Sequence, residues 1–229
     1  MTDSLQPRVD APLHSPAYEH DSCGVGLVVD IAGKPSRSIV ERALAGLVNL
    51  THRGGVGADP RTGDGAGILL QVPHALFADL VAGAGKGEYG VAMAFLPRDG
   101  AKLAQARDFF ASAAADRGLE LLGWRAVPVD PAVLSETAER TRPTIEQALI
   151  ARPVGLGTEA FEHALVLYRR AVERAAQAEG FTDADLFIAS CSARTLIYKG
   201  FCLPEDLASF YPDLQNPAVE SSIALFHQR

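Results

Sequence analysis

The run Cys23-Gly24-Val25-Gly26 follows a polar head that holds Pro7, Pro12 and Pro16 and shows no hydrophobic periodicity from Met1 to Ser22. One peptide cleavage after Ser22 would make Cys23 the first residue of the mature chain. A terminal α-amino group titrates near about 7.7 to 8.0, so at neutral pH a useful fraction is neutral and can take the proton of the thiol on its own residue. Such a nucleophile needs no distant histidine. The same cysteine also has a plainer reading, because cysteine is among the most buried residue types and Cys23 opens the apolar run Gly24 to Ile31, which reads as a buried core strand. The head reads as a removable leader; for His20 and Asp21, next to the cleavage point, only adjacency suggests a part in the cut.

A second chemical candidate is the glycine-dense loop from His52 to Gly67, which contains Arg53-Gly54-Gly55 and Thr62-Gly63-Asp64-Gly65-Ala66-Gly67. It meets neither nucleotide fingerprint: there is no G-x-x-x-x-G-K-[ST], and Gly65-x-Gly67 lacks a third glycine. A metal set of His52, Asp59 and Asp64 is conceivable, but carboxylates in such loops more often satisfy local backbone donors, and no metal is expected. The preferred reading is a loop of close approach. Glycines such as Gly54 let backbone N–H groups come near a ligand or nucleophile, and Arg53 would lower the pKa of a neighbouring thiol by stabilising its thiolate.

The elements that must position these groups follow from periodicity. A strand over Gly24 to Ile31 leads to a helix with the capping box Ser38 to Glu41 and an apolar stripe of Val40, Ala43, Leu44, Leu47 and Val48. A second strand covers Ile68 to Val72, and Pro73 opens a short helix. Tyr89 to Leu96 and Leu119 to Val129 read as strands around a helix capped by Asp99, with Leu103, Ala106, Phe109, Phe110 and Ala113 inward. Thr144 to Ala151 is a strand, and Thr158 caps a long helix bearing Phe161, Leu165, Tyr168 and Val172 that Gly180 stops. Leu186 to Ser190 and Thr195 to Lys199 are expected as a hairpin, and Ser221 to His227 as a last strand. Without a regular βαβ rhythm, the fold class is α+β, sheets flanked by helices. The stretch Gly83 to Gly87 is a loop between strands of one sheet, so one domain is expected.

Composition narrows the function. With 229 residues, 48% hydrophobic and 21% charged, the chain can build a sizeable core. Its net charge of -7 is spread along the sequence, and no basic stretch interleaves aromatics, which argues against nucleic acid. No segment approaches the roughly 18 apolar residues of a membrane span, and the head lacks the plan of a secretory signal. Three scattered cysteines form neither a disulfide framework nor a C-x-x-C pair, which fits a reducing cytoplasm. Cys191, in an apolar strand, and Cys202, before Leu203-Pro204, read as inert.

Taken together, Cys23-Gly24-Val25-Gly26 after a short head, Thr51-His52-Arg53-Gly54-Gly55, Ala58-Asp59, Thr62 to Gly67, Phe187-Ile188-Ala189-Ser190, Arg194-Thr195, Tyr198-Lys199-Gly200 and Ala224 to Arg229 resemble the beginning of the large subunit of the glutamate synthase family. The resemblance spans nearly the whole chain. It implies a class II glutamine amidotransferase domain of the Ntn-hydrolase type over residues 23–229, a four-layer αββα sandwich, with leader 1–22 removed autocatalytically. Cys23 would attack the side-chain amide of L-glutamine, and the ammonia would pass to 2-oxoglutarate at a synthase site. The family's His-x-Arg arginine, which grips the α-carboxylate, corresponds to Arg229 in His227-Gln228-Arg229; a guanidinium fork suits that task.

The resemblance also implies what lies elsewhere. FMN, an iron–sulfur cluster and a small reductase subunit belong to the full-length protein, and no cofactor is expected in this segment. The Asn-Gly oxyanion pair and the aspartate for the substrate amine would follow Arg229, so the fold is expected to be incomplete at its C-terminus and the fragment alone to lack useful glutaminase activity. Two other readings remain open: a cysteine hydrolase pairing Cys23 with His52, and a non-catalytic interaction domain of the same fold.

Overall fold

The computed structural model describes residues 23–54, 61–81 and 83–229, with Arg53 in backbone only. The leader with His20, Asp21 and Ser22, and the loop residues Gly55 and Asp59, lie outside the described residues. Eight strands form two antiparallel sheets among the described residues. The first orders β1 (Gly24–Val29), β8 (Ile223–Gln228), β2 (Ala66–Gln71) and β7 (Thr195–Gly200). The second orders β4 (Glu120–Ala126), β5 (Thr144–Ala151), β3 (Tyr89–Leu96) and β6 (Phe187–Ser192). The helices are α1 (Arg37–Asn49), α2 (Gly100–Asp116), α3 (Glu136–Thr141), α4 (Thr158–Ala178) and α5 (Leu207–Phe210). No helix among the described residues is long and apolar enough to cross a membrane.

The expectation of a buried first strand needs correction. β1 is an edge strand, and Val25, Leu27 and Val29 are 62%, 56% and 50% exposed, with Ile31 entirely so. A run of unbroken apolar residues does not reveal whether one face of a strand or both are covered. The alternate residues Gly24, Gly26 and Val28 turn inward. There α1 lies close against the sheet: a Cβ built on Gly26 would stand 2.2 Å from Cζ of Phe226, and one on Gly46 of α1 would stand 2.6 Å from the same atom. The Phe226 ring therefore fills the space left by two missing side chains. Gly26→Ala should overpack this wedge and cost about 1–3 kcal/mol, read as a lower midpoint in denaturant titration with an unchanged slope.

α1 buries Val40, Ala43 and Leu47 of the expected stripe together with Ile39, while Leu44 is partly buried and Val48, expected inward, is 42% exposed near the end of the helix. Its cap differs from expectation. Ser36 occupies the N-cap without a side-chain bond, Ser38 lies inside the first turn, and Glu41 accepts from Arg37 Nε at 3.2 Å instead of closing a capping box. At α2 the expected cap is present, Asp99 Oδ1 accepting from the Lys102 amide at 2.9 Å. The N-cap of α4 is Gly157, so Thr158 is the first helical residue and not the cap.

β3 is central and buried on both faces. On one side Ala92, Ala94 and Leu96 pack with Phe110 of α2 and with Phe161, Leu165 and Tyr168 of α4. On the other, Tyr89, Val91 and Met93 share a core with Ile68 and Leu70 of β2, Leu196 and Tyr198 of β7, and α1. The expected hairpin of β6 and β7 is only half right. The turn forms, with Ser192 Oγ accepting from the amides of Arg194 and Thr195, but β6 pairs with β3 and β7 with β2, so the chain passes from one sheet to the other. Gly83 to Gly87 likewise connects strands of different sheets, β2 and β3.

A buried polar cluster ties the sheets together. Arg125 of β4 holds Asp213 in a fork, Nη1 to Oδ2 at 2.8 Å and Nη2 to Oδ1 at 2.7 Å, and also donates to Gln147 Oε1 of β5 at 2.8 Å. Tyr198 of β7 donates its hydroxyl to Asp213 at 2.9 Å, and Tyr211 donates to the carbonyl of Lys199 at 2.8 Å. The end of β7 is thus anchored from the opposite sheet.

Candidate active site

Four strand ends meet at one edge of the first sheet. In register, Gly24 of β1 pairs with Gln228 of β8, Gln228 with Ala66 of β2, and Ala66 with Gly200 of β7. Continued by one residue, the ladder sets Cys23 opposite Arg229, whose amide donates to the carbonyl of Gly65 at 3.0 Å. The next row inward is Val25, His227, Gly67 and Lys199. Because side chains alternate along a strand, Cys23, Arg229, His227 and Lys199 share one face of the sheet. Directly opposed residues in an antiparallel pair have Cβ atoms about 4.5–5.5 Å apart, so the two leading candidates from the sequence are neighbours.

A cavity of roughly 530 Å³ opens at this edge of the sheet, lined by Asp64, Lys199, His227 and Arg229, by Ala66 and Gly200 of the alternate row, and by apolar walls that include Phe95 and Phe187. Cys23 is exposed and stands beside the cavity without lining it. Arg229 is exposed as well, yet it forms part of the cavity wall. The His227 ring fits because β2 carries glycine beneath it: a Cβ on Gly67 would stand 2.8 Å from His227 Nε2 and 2.9 Å from Lys199 Cβ. Burial, and then the charge of Lys199, lower the pKa of His227, which favours the neutral imidazole.

The opposite face explains Gly54. Gln228 is 2% exposed, and its Nε2 lies 1.7 Å from where a Cβ of Gly54 would be. Gly54 has a φ of -92°, so space and not backbone conformation demands glycine here. The Oε1 of Gln228 is buried with no hydrogen-bond partner among the described residues. Arg53 follows α1 in a short 3-10 turn, and its side chain lies outside the described residues. His52 is exposed and its Nδ1 meets the Asn49 carbonyl at 3.0 Å; no hydrogen bond joins it to Cys23 among the described residues. Of the His52, Asp59 and Asp64 set, Asp59 lies outside the described residues.

The other thiols behave as expected of structural cysteines. Burial pushes Cys191 up to about 12, with Arg169 opposing and Glu162 and Glu173 adding to the shift. Burial also pushes Cys202 up to about 12, helped by Asp206 and Glu205. At neutral pH both remain protonated and poorly nucleophilic. Sequence reasoning assigned no role to Lys199 or Gln228, and it read Gly67 as part of a close-approach loop, whereas it lies within β2. The available signal was the alternation in His227-Gln228-Arg229, which puts the histidine and the arginine on one face of a strand and the glutamine on the other.

The profile of the family described as Glutamine amidotransferases class-II matches residues 23–229. The chain is 41% identical over 224 residues to the glutamate synthase (NADPH) large chain of Azospirillum brasilense, covering 96% of this chain and 15% of that one. It is 37% identical over 224 residues to the chloroplastic ferredoxin-dependent glutamate synthase of Oryza sativa subsp. japonica, covering 96% and 14%. Against the glutamate synthase (NADPH) large chain of Bacillus subtilis (strain 168), identity is 36% over 233 residues, covering 100% and 15%. The chain therefore spans about 15% of the length of these relatives.

Proposed function

Because the chain belongs to the class II glutamine amidotransferases, we propose that it is the glutaminase part of a glutamate synthase and that Cys23 is its nucleophile. The observation that carries this reading is the placing of Cys23 and Arg229 one residue beyond the paired Gly24 and Gln228, at the strand ends where the cavity opens. Removal of residues 1–22 frees the α-amino group of Cys23. That amine takes the thiol proton, and the sulfur attacks the side-chain amide carbon of L-glutamine. The C–N bond then breaks, ammonia leaves with the proton returned by the amine, and water hydrolyses the thioester to glutamate.

In this reading Arg229 holds the α-carboxylate, and Arg53 with Gly54 supports the nucleophile. Residues 23–229 form the N-terminal part of the domain. In this reading the two sheets, with α2 and α4 on the outside of the second, are three layers of an αββα sandwich, while α1 shares the core of the first sheet with β3. Ammonia passes to 2-oxoglutarate in the remaining domains, where FMN and an iron–sulfur cluster supply redox chemistry, and a small reductase subunit delivers electrons in the cytoplasm. The described residues do not fit an iron–sulfur cluster. Cys23 precedes β1, Cys191 sits in β6 and Cys202 follows β7, and no group of three metal-ligating side chains gathers among the described residues. A hydrolase using His52, or a non-catalytic domain, has no comparable geometric support.

The test is ammonia release from L-glutamine by the protein in which this chain continues to the length of its relatives. Release with a one-to-one yield of glutamate is expected. A purified protein that leaves glutamine intact under conditions supporting ammonia-dependent glutamate formation would contradict the proposal.

A further inference from the structure

Lys199 is half-buried, lines the cavity and has no carboxylate partner among the described residues. Its Nζ rests 4.2 Å from the centre of the Phe187 ring, which also lines the cavity. Its backbone is fixed by the Tyr211 hydroxyl on its carbonyl, and its Cβ stands where β2 has Gly67 in place of a side chain. Nearby charge does not compensate it. Arg169 is a second cation, itself engaged by Glu173, and Asp64 and Asp183 line the cavity without pairing with Lys199. Burial and Arg169 both disfavour the ammonium, so a fixed cation is kept at a cavity wall at some cost. An anion entering the cavity would relieve that cost.

The position specifies which anion. Lys199 stands on β7 level with His227, and Arg229 directly follows β8 two residues further along, with only β2 between their strands, hence about 12 Å apart from backbone to backbone. Both side chains are long enough to converge on one group, with the His227 ring over Gly67 filling the step between their strands. Cys23 lies on the far side of Arg229. A small amino acid whose carboxylate lies between the two cations would therefore have its other end free to point toward the thiol. We infer that Lys199 is a second carboxylate-binding residue of this cavity, acting with Arg229 on the α-carboxylate of the substrate and of the product. The inference rests on the glutaminase reading of the site.

Binding of L-glutamate measured by calorimetry tests it without requiring turnover. In the full-length protein, Lys199→Met keeps the packing on Phe187 and removes the charge, and it should weaken L-glutamate binding by about tenfold, the size expected for losing one charge-assisted hydrogen bond. Lys199→Arg should restore affinity to within about threefold. The Met variant should bind 4-aminobutyramide, which lacks the α-carboxylate, as wild type does, and a matching thermal midpoint shows that it folds. Equal L-glutamate affinity in wild type and Lys199→Met overturns the inference, as does a wild type that binds no L-glutamate. A wild type whose glutamate affinity depends on Lys199 but which never hydrolyses glutamine would instead overturn the glutaminase reading and leave the binding role of Lys199 standing.

Discussion

Cys23→Ala should lower ammonia release from L-glutamine by about three orders of magnitude or more in the full-length protein while leaving its thermal midpoint nearly unchanged. The two halves of that expectation have separate causes. Loss of activity follows because the sulfur forms the covalent intermediate, and neither the amine nor Arg229 can replace it. Retention of stability follows because Cys23 is exposed ahead of β1 and contributes nothing to either apolar core. Cys202→Ala makes the informative contrast. Cys202 is 2% exposed and packs in the main core, so its loss should destabilise the fold and spare turnover at temperatures where the protein remains folded. Parallel assays of activity and melting separate the chemical cysteine from the structural one.

The largest effect on stability is expected at the clamp between the sheets. Asp213→Ala leaves Arg125, only 16% exposed at its side chain, without a counter-ion, and removes the acceptor of the Tyr198 hydroxyl. Breaking one partner of a buried pair costs about 3–5 kcal/mol, because the remaining charge stays desolvated. Replacing both partners, Arg125→Met with Asp213→Leu, should recover much of that loss, because no stranded charge remains. Chemical denaturation of the three variants measures it; a single variant as stable as wild type would show that the pair holds nothing together. The cluster also anchors β7, so the Asp213 variant should weaken ligand binding at Lys199 before it unfolds.

Much of the fold could be read locally. Tyr89 to Leu96 and Thr144 to Ala151 were bounded by their own apolar runs and flanking prolines, and the structure has strands at those limits. The stripes of α2 and α4 were legible because burial of Phe110, Phe161, Leu165 and Tyr168 imposes helical spacing. Features that depend on distant partners were not. Nothing in the run from Gly24 to Ile31 states that its alternate residues face outward, and nothing in the turn between β6 and β7 states that its arms join different sheets. The Ser38 capping box failed because a residue type is necessary for a cap but does not fix where the helix begins, which the bridge between Ser36 and Ser221 helps to set.

The site shows the same division. Cys23 and Arg229 were recognisable by type and by resemblance, but their opposition depends on the register between strands some 200 residues apart in sequence, which no local pattern encodes. Gly54 and Gly67 were noticed as glycines, whereas the reasons for them, Gln228 and His227, lie at the other end of the chain. Lys199 drew no functional reading because a lysine at the end of a strand is ordinary until the surrounding cavity shows that it lacks a counter-ion.

The central claim, that a freed Cys23 performs the deamidation, is tested most directly by labelling the mature full-length enzyme with 6-diazo-5-oxo-norleucine and mapping its peptides by mass. The account predicts a single labelled peptide that begins at Cys23, with Cys191 and Cys202 unmodified. Label on either of those cysteines, or on a peptide in which Ser22 still precedes Cys23, would contradict it.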